Sequence, residues 1–74
     1  MSKLPVLSGA KLIKILGRMG YYIRGQEGSH IHLRHPWRKS LTVPNHKIIA
    51  RGTFRFIIKE TGMSKNEFLK LLKK

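Results

Sequence analysis

The sequence predicts an α+β fold in which helices pack against one face of a three-stranded antiparallel sheet. Hydrophobic residues recur with helical spacing before residue 20 and after residue 53, and with the two-residue spacing of strands between residues 21 and 44. With 74 residues the chain is long enough for one small core, so we expect residues 1–74 to form a single domain. Rossmann and TIM-barrel enzymes need far more chain and are excluded.

A first helix is predicted to begin after Ser8, because serine is a common helix N-cap and the breaker Pro5 precedes it. Gly20 is a suitable C-terminal stop. One face of this helix is apolar and carries Leu12, Ile13, Leu16 and Met19. Another face is basic and carries Lys11, Lys14 and Arg18.

Three strands are predicted to follow as a meander. Tyr21–Arg24 is rich in β-prone residues and is bounded by Gly20 and Gly25. His30–Arg34 and Ser40–Val43 alternate strictly between apolar and polar residues. We therefore expect one face of the sheet to be apolar and the other to carry polar residues, namely His30, His32, Arg34, Ser40 and Thr42.

Two further helices are predicted after the sheet. Thr53 is expected to cap the first, Gly62 to end it, and its apolar stripe consists of Phe54, Ile57 and Ile58. Ser64 and Glu67 have the spacing of a capping box, which indicates a short third helix.

Two aromatic residues fall outside the predicted core. Phe56 lies off the apolar stripe, so it either packs under the third helix or belongs to a partner-binding patch. Trp37 lies in a basic turn, where it either stacks on a nucleic-acid base, anchors a protein interface or folds back over the sheet edge.

The charge balance indicates the class of partner. The chain has 16 Lys and Arg against 3 acidic residues, for a net charge of +13. Such a surface attracts polyanions, because its cations displace the counterions condensed on phosphates. Nucleic acid is the first partner expected, an anionic membrane the second, and an acidic protein the third, which is compatible with the first. Since neither a signal peptide nor a transmembrane span is recognisable, we expect a cytoplasmic protein with no membrane partner.

Four histidines, at positions 30, 32, 35 and 46, are candidates for chemistry. Histidine is the usual acid or base near neutral pH, and RNA cleavage requires a base for the 2′-OH and cations for the phosphate. His30 follows the Gly28-Ser29 step at a strand start, and chemistry alone favours a solvated or RNA-contacting histidine there over a catalytic one. Because cysteine is absent and acids are scarce, we expect no metal site and no small-molecule cofactor.

An ordered series of short motifs runs through the chain from Pro5 to about Phe68. The series consists of Pro5-Val6-Leu7-Ser8-Gly9, Gly20-Tyr21, Gly28-Ser29-His30, Arg34-His35-Pro36, Thr42-Val43-Pro44-Asn45-His46-Lys47 and Gly52-Thr53. In this order and spacing it resembles the HicA toxins of HicAB toxin–antitoxin systems, the YcfA-like mRNA interferases.

The resemblance implies a fold like that of double-stranded-RNA-binding domains, in agreement with the periodicity. It implies the toxin of a type II system, an endoribonuclease acting on mRNA without the ribosome, and neutralisation by a HicB-like antitoxin, which we expect to be acidic. The histidine of the family's Gly-Ser-His motif corresponds to His30. Glu27, just before this motif, and the Trp37-Arg38-Lys39 turn depart from the family pattern.

We expect a set of polar and basic residues to bind the RNA: Lys11, Lys14, Arg24, Ser29, His32, Arg34 and Lys47. His46 is a candidate for a second acid or base. The alternatives are a non-catalytic RNA-binding module of the same fold, and an interaction protein whose basic surface serves an acidic partner. Neither alternative requires His30.

Overall fold

The computed structural model describes residues 6–73 and has the element order α-β-β-β-α-α. Its elements are α1 (Gly9–Gly17), β1 (Tyr22–Glu27), β2 (His30–Arg34), β3 (Leu41–Pro44), α2 (Arg51–Thr61) and α3 (Lys65–Leu72). The strands form one sheet in the order β1-β2-β3, and both neighbouring pairs are antiparallel. The predicted α+β fold is therefore confirmed; the predicted breaker Pro5 lies outside the described residues.

Helix α1 begins where the sequence predicts, because the Ser8 hydroxyl accepts the backbone N–H of Lys11 at 3.1 Å. The helix ends at Gly17, and a turn carries the chain on to Gly20, whose φ is 107°. A Cβ at Gly20 would lie 2.9 Å from Nε2 of His35, so both the backbone conformation and the available space require glycine there.

Strand β1 differs from its prediction. The sequence indicated Tyr21–Arg24, but the strand extends through Gly25 to Glu27. Its pairing with β2 skips one residue, because Ile23 and Gly25 have adjacent partners and Arg24 between them has none. Such a bulge redirects the side chain of the extra residue, which here is Arg24.

Helix α2 begins three residues earlier than predicted. Ala50 occupies the N-cap position without a side-chain hydrogen bond, and Thr53 is the third helical residue rather than the cap. Gly62 ends the helix in the left-handed conformation, with φ of 83°, as its position in the sequence indicated.

Helix α3 begins with the predicted capping box. The backbone N–H of Glu67 donates to the Ser64 hydroxyl at 3.1 Å, and the N–H of Ser64 donates to the Glu67 carboxylate at 2.8 Å. These bonds with Ser64 hold the pKa of Glu67 below its ordinary value. Phe68 then packs edge-on against Phe54 of α2, with ring centroids 5.3 Å apart.

The core lies between the helices and the inner face of the sheet. Strand β2 contributes Ile31 and Leu33 to this face, and β3 contributes Leu41 and Val43. Ile15, outside the predicted stripe of α1, is also fully buried. The opposite, outer face of the sheet is open to solvent and carries the polar residues of the strands. Among residues 6–73 no helix has the length and apolarity needed to span a bilayer.

Two arginines support the ends of helices. Arg18, which the sequence placed on a basic stripe of α1, donates to the carbonyl of Leu71 near the end of α3 at 2.8 Å. Arg38 donates to the carbonyl of Thr61 at the end of α2 at 2.6 Å. Cations are favourable at helix C-termini, so part of the basic charge stabilises the fold itself.

Candidate functional site

The turn between β1 and β2 places His30 at the tip of a hairpin. Gly28 and Ser29 form this two-residue connection, and φ is positive, 57°, at Gly28 but not at Ser29. This is the pattern of a type II′ turn, whose twist matches that of the paired strands. Glu27 and His30 face each other across the end of the hairpin, and His30 is exposed on the outer face of the sheet.

The loop between β3 and α2 is bound to the same end of the sheet. The N–H of Asn45 donates to the carbonyl of Ser29 at 2.6 Å, and the N–H of Gly9 donates to the carbonyl of His46 at 2.8 Å. The turn, this loop and the first residue of α1 therefore form one end of the molecule. His46 is exposed there, at the end of the sheet where His30 lies.

His32, in the middle of the outer face, is held on both sides of its ring. Its Nδ1 lies 3.1 Å from the hydroxyl of Thr42, and its Nε2 lies 3.2 Å from the carboxylate of Glu27. In the neutral ring Nε2–H donates to Glu27 and Nδ1 accepts from Thr42. Because both ring nitrogens are hydrogen-bonded within the protein, His32 is fixed on the outer face and is not free to act as a base.

His35 is a buried part of the fold. Its Nε2 donates to the carbonyl of Met19 at 2.7 Å, and its Nδ1 accepts the backbone N–H groups of Trp37 and Arg38 at 3.2 and 3.3 Å. The ring also packs edge-on against Tyr21 and Trp37. Since both nitrogens are used within the protein, His35 shapes the turn after β2 and is not available to a substrate.

The outer face contains a groove of about 410 Å³ beside His32. Its lining consists of Arg24, Gly25, His32, Leu33, Arg34, Ser40, Leu41 and Thr42. The guanidinium groups of this lining are donors that bind phosphate well. The structure thus brings together three of the predicted RNA-binding residues, namely Arg24, His32 and Arg34.

The sequence did not reveal this groove, because two of its features depend on strand pairing. The bulge places Arg24 at the groove, although strict alternation within β1 gives no sign of it. Gly25 is the Cα partner of His32, and a Cβ at Gly25 would meet nothing within 4 Å. Ser40 and Thr42 were expected on the polar face, but their place beside the arginines follows from the register of β3.

The other predicted RNA-binding residues lie elsewhere. Ser29 is in the hairpin turn and Lys47 follows His46 in the exposed loop, so both belong to the end of the sheet at which His30 lies. Lys11 and Lys14 are exposed on α1, in the helical layer behind the sheet. Among residues 6–73 no group of three His, Cys, Asp or Glu side chains could hold a metal ion.

Both aromatic residues left open by the sequence are exposed. Trp37 is 79% exposed and touches His35 edge-on at a centroid distance of 4.6 Å, so it does not fold back over the sheet edge. Phe56 is 62% exposed and does not pack under α3. For Trp37 the remaining interpretations are stacking on a nucleic-acid base and anchoring a protein interface. For Phe56 the remaining interpretation is a partner-binding patch.

The fold and the outer face define a small, strongly basic α+β domain whose open sheet carries imidazole and guanidinium groups. Residues 9–63 match the family model described as the HicA toxin of bacterial toxin–antitoxin systems. This match covers more than half of the chain, and the chain belongs to the HicA toxin family, as its motifs predicted. Membership implies an antitoxin partner. A comparison with curated proteins finds no match.

Proposed function

We propose that the protein is a type II toxin that cleaves mRNA as an endoribonuclease, with His30 as the catalytic histidine. One observation carries this proposal: His30 is exposed at the hairpin tip, at the position of the family's Gly-Ser-His motif. The hydrogen bonds that imidazoles make within residues 6–73 belong instead to His32 and His35. His30 is thus an accessible imidazole beside a cationic groove.

The proposed reaction uses a nucleophile that the RNA itself supplies. His30 removes the proton of a ribose 2′-OH, and the 2′-oxygen attacks the adjacent phosphorus. The bond from phosphorus to the 5′-oxygen of the next nucleotide then breaks, and that oxygen takes up a proton. The products are a 2′,3′-cyclic phosphate and a free 5′-OH. His46, at the same end of the sheet, is the candidate donor of that second proton.

Cationic groups stabilise the charge that develops on the phosphate during this reaction. Lys47 lies in the loop beside His46, and the arginines of the groove lie further along the sheet. In this mechanism no step passes through a metal ion.

The test is the incubation of purified protein with unstructured RNA in EDTA, followed by analysis of the new ends. Cleavage that persists in EDTA and leaves 2′,3′-cyclic phosphate ends is the expected result. Loss of cleavage on chelation with recovery in zinc or manganese, or products with 3′-OH ends, would overturn the mechanism.

A second candidate function is RNA binding without cleavage, in a fold like that of double-stranded-RNA-binding domains. The groove favours this candidate, because Arg24 and Arg34 can bind phosphate whether or not His30 reacts. The two functions differ in one respect: only the nuclease requires the imidazole of His30.

The partner that we propose for inhibition is an acidic, HicB-like antitoxin. A protein with a net charge of +13 associates fastest with a surface of opposite charge, and such a surface also masks phosphate-binding groups. We expect the antitoxin to cover the end of the sheet that carries His30, with the exposed Trp37 as a candidate contact. A complex that leaves His30 accessible and still cleaves RNA would contradict inhibition by occlusion.

A further inference from the structure

The groove is spatially separate from the hairpin tip. His32, at its side, lies two residues along β2 from His30, which corresponds to about 7 Å along a strand. The carboxylate of Glu27 stands between them, because Glu27 faces His30 in the register while its oxygen reaches His32. This negative charge repels phosphate. We therefore expect a polyanion to be attracted to the hairpin tip and to the groove, but not to the surface at Glu27 between them.

We propose that the groove is a subsite for one nucleotide of single-stranded RNA, next to the nucleotide whose 2′-OH reacts at His30. Arg24 and Arg34 bind the phosphate of this neighbouring nucleotide, and the side chains of Ser40 and Thr42 line the space that the nucleotide occupies. The subsite deepens the proposed function and rests on it, since it assigns the groove to the substrate of His30.

The size and position of the groove favour a single strand over a duplex. A volume of about 410 Å³ is within the range of sites that hold one small ligand. A nucleotide of a single strand enters such a site directly, whereas a paired base must first leave its stack, at a cost of a few kcal/mol. Tyr22 faces Arg34 in the register and is 53% exposed, so its ring is available for stacking on the base.

Gly25 keeps the groove open and gives a direct test. A Cβ at Gly25 would meet nothing within 4 Å and its φ is not positive, so the backbone accepts a side chain there, and Gly25→Leu is the variant designed to fill the groove. Gly17→Leu is the control, because Gly17 is exposed, likewise has no heavy atom within 4 Å of its Cβ position and lies on α1, away from the groove.

The binding experiment uses 2′-O-methyl hexauridylate, a probe that lacks the reacting hydroxyl, and measures its affinity at several salt concentrations. Gly25→Leu should weaken binding about tenfold, as removal of one charge-assisted hydrogen bond would. The slope of log affinity against log salt should fall by about 0.7 for each phosphate that the variant no longer neutralises. Gly17→Leu should bind like the wild type. The same hexamer paired with its complement should bind the wild type more weakly.

The cleavage experiment compares the dinucleotide UpU with hexauridylate. UpU carries only the scissile phosphate and so has none for the arginines of the groove; Gly25→Leu should therefore cleave it at the wild-type rate while losing the faster cleavage of the hexamer. Arg24→Gln combined with Arg34→Gln, two exposed positions, should weaken binding of the hexamer in the same way and replaces Gly25→Leu in the binding experiment if that variant does not fold.

The outcomes separate the subsite from the nuclease. Unchanged binding of the hexamer by Gly25→Leu or by the double arginine variant overturns the subsite, even if RNA is cleaved. Equal or tighter binding of the duplex overturns selection of single strands. A wild-type protein that binds the hexamer through the groove but cleaves no RNA overturns the proposed function while retaining the groove as a binding site.

Discussion

His30, His32 and His35 lie within six residues of one another but have three different environments. His30 is exposed at the hairpin tip, His32 is held between Thr42 and Glu27, and His35 is buried with both nitrogens bonded. Substitution of each should therefore affect a different property of the protein.

His35→Ala should lower the free energy of unfolding by about 2–3 kcal/mol, because the N–H groups of Trp37 and Arg38 lose their acceptor and the part-buried carbonyl of Met19 loses its donor. Urea denaturation measures this change. His46→Ala, at an exposed position, is the control and should leave the unfolding curve unchanged. A His35→Ala protein as stable as the wild type would show that the ring is dispensable for the turn after β2.

Glu27→Gln should bind RNA about two- to fivefold more tightly at low salt, the effect of one exposed charge. The amide still bonds with His32 but no longer repels phosphate, and the gain should shrink as salt rises. Glu60→Gln is the matched control: it changes the net charge equally but lies on α2, beside Lys39. Equal gains for the two variants would mean that only the total charge matters.

At the scale of the elements, the contact between α1 and the loop after β3 gives the next prediction. A Cβ on Gly9 would overlap the carbonyl oxygen of Pro44. Gly9→Ala should therefore destabilise the protein by about 1–3 kcal/mol, as overpacking does. Gly17→Ala in the same helix should instead stabilise it by up to about 1 kcal/mol. Thermal unfolding distinguishes the two variants. Equal melting temperatures would contradict the close approach of Gly9 to the carbonyl of Pro44.

The elements that could be predicted from sequence are those specified by local residues. Strand β2 has the predicted bounds because alternation of apolar and polar residues is sufficient to define it, and α3 begins at its capping box. The bulge at Arg24 and the extension of β1 could not be predicted, since they arise from pairing with β2. The start of α2 was placed too late because Ala50 carries no capping side chain.

At the scale of the whole molecule, the positive charge serves more than one purpose. Arg18 and Arg38 bond to carbonyls at helix ends, and the arginines of the groove face solvent on the sheet. Lys11 and Lys14 are in the helical layer, so a short oligonucleotide on the sheet does not reach them.

Lys11→Glu combined with Lys14→Glu should therefore weaken binding of an RNA of about 20 nucleotides far more than binding of a hexamer. Long RNA extends beyond the sheet to α1, and its affinity should also lose part of its salt dependence. Affinity measurements with both lengths at two salt concentrations make the comparison. If the double substitution changes the affinity for neither RNA at low salt, these lysines contribute only to the solvation of α1.

The expectation of a polyanionic partner and the choice of His30 as the candidate catalytic residue both come from the sequence, but the arrangement of the site could not be predicted from it. A charge of +13 and the Gly28-Ser29-His30 motif are visible in the residues themselves. The engagement of His32 by Glu27, the open space at Gly25 and the burial of His35 depend on which residues the fold places together.

The most direct test of the central claim is the RNA cleavage rate of His30→Ala, measured with its melting temperature and its affinity for 2′-O-methyl hexauridylate. An exposed imidazole at the hairpin tip contributes little to the core, so stability and binding should remain near those of the wild type. The cleavage rate should fall by about 10²–10⁴-fold, the usual contribution of a general acid or base. A folded His30→Ala protein that cleaves RNA at the wild-type rate would contradict the catalytic role of His30.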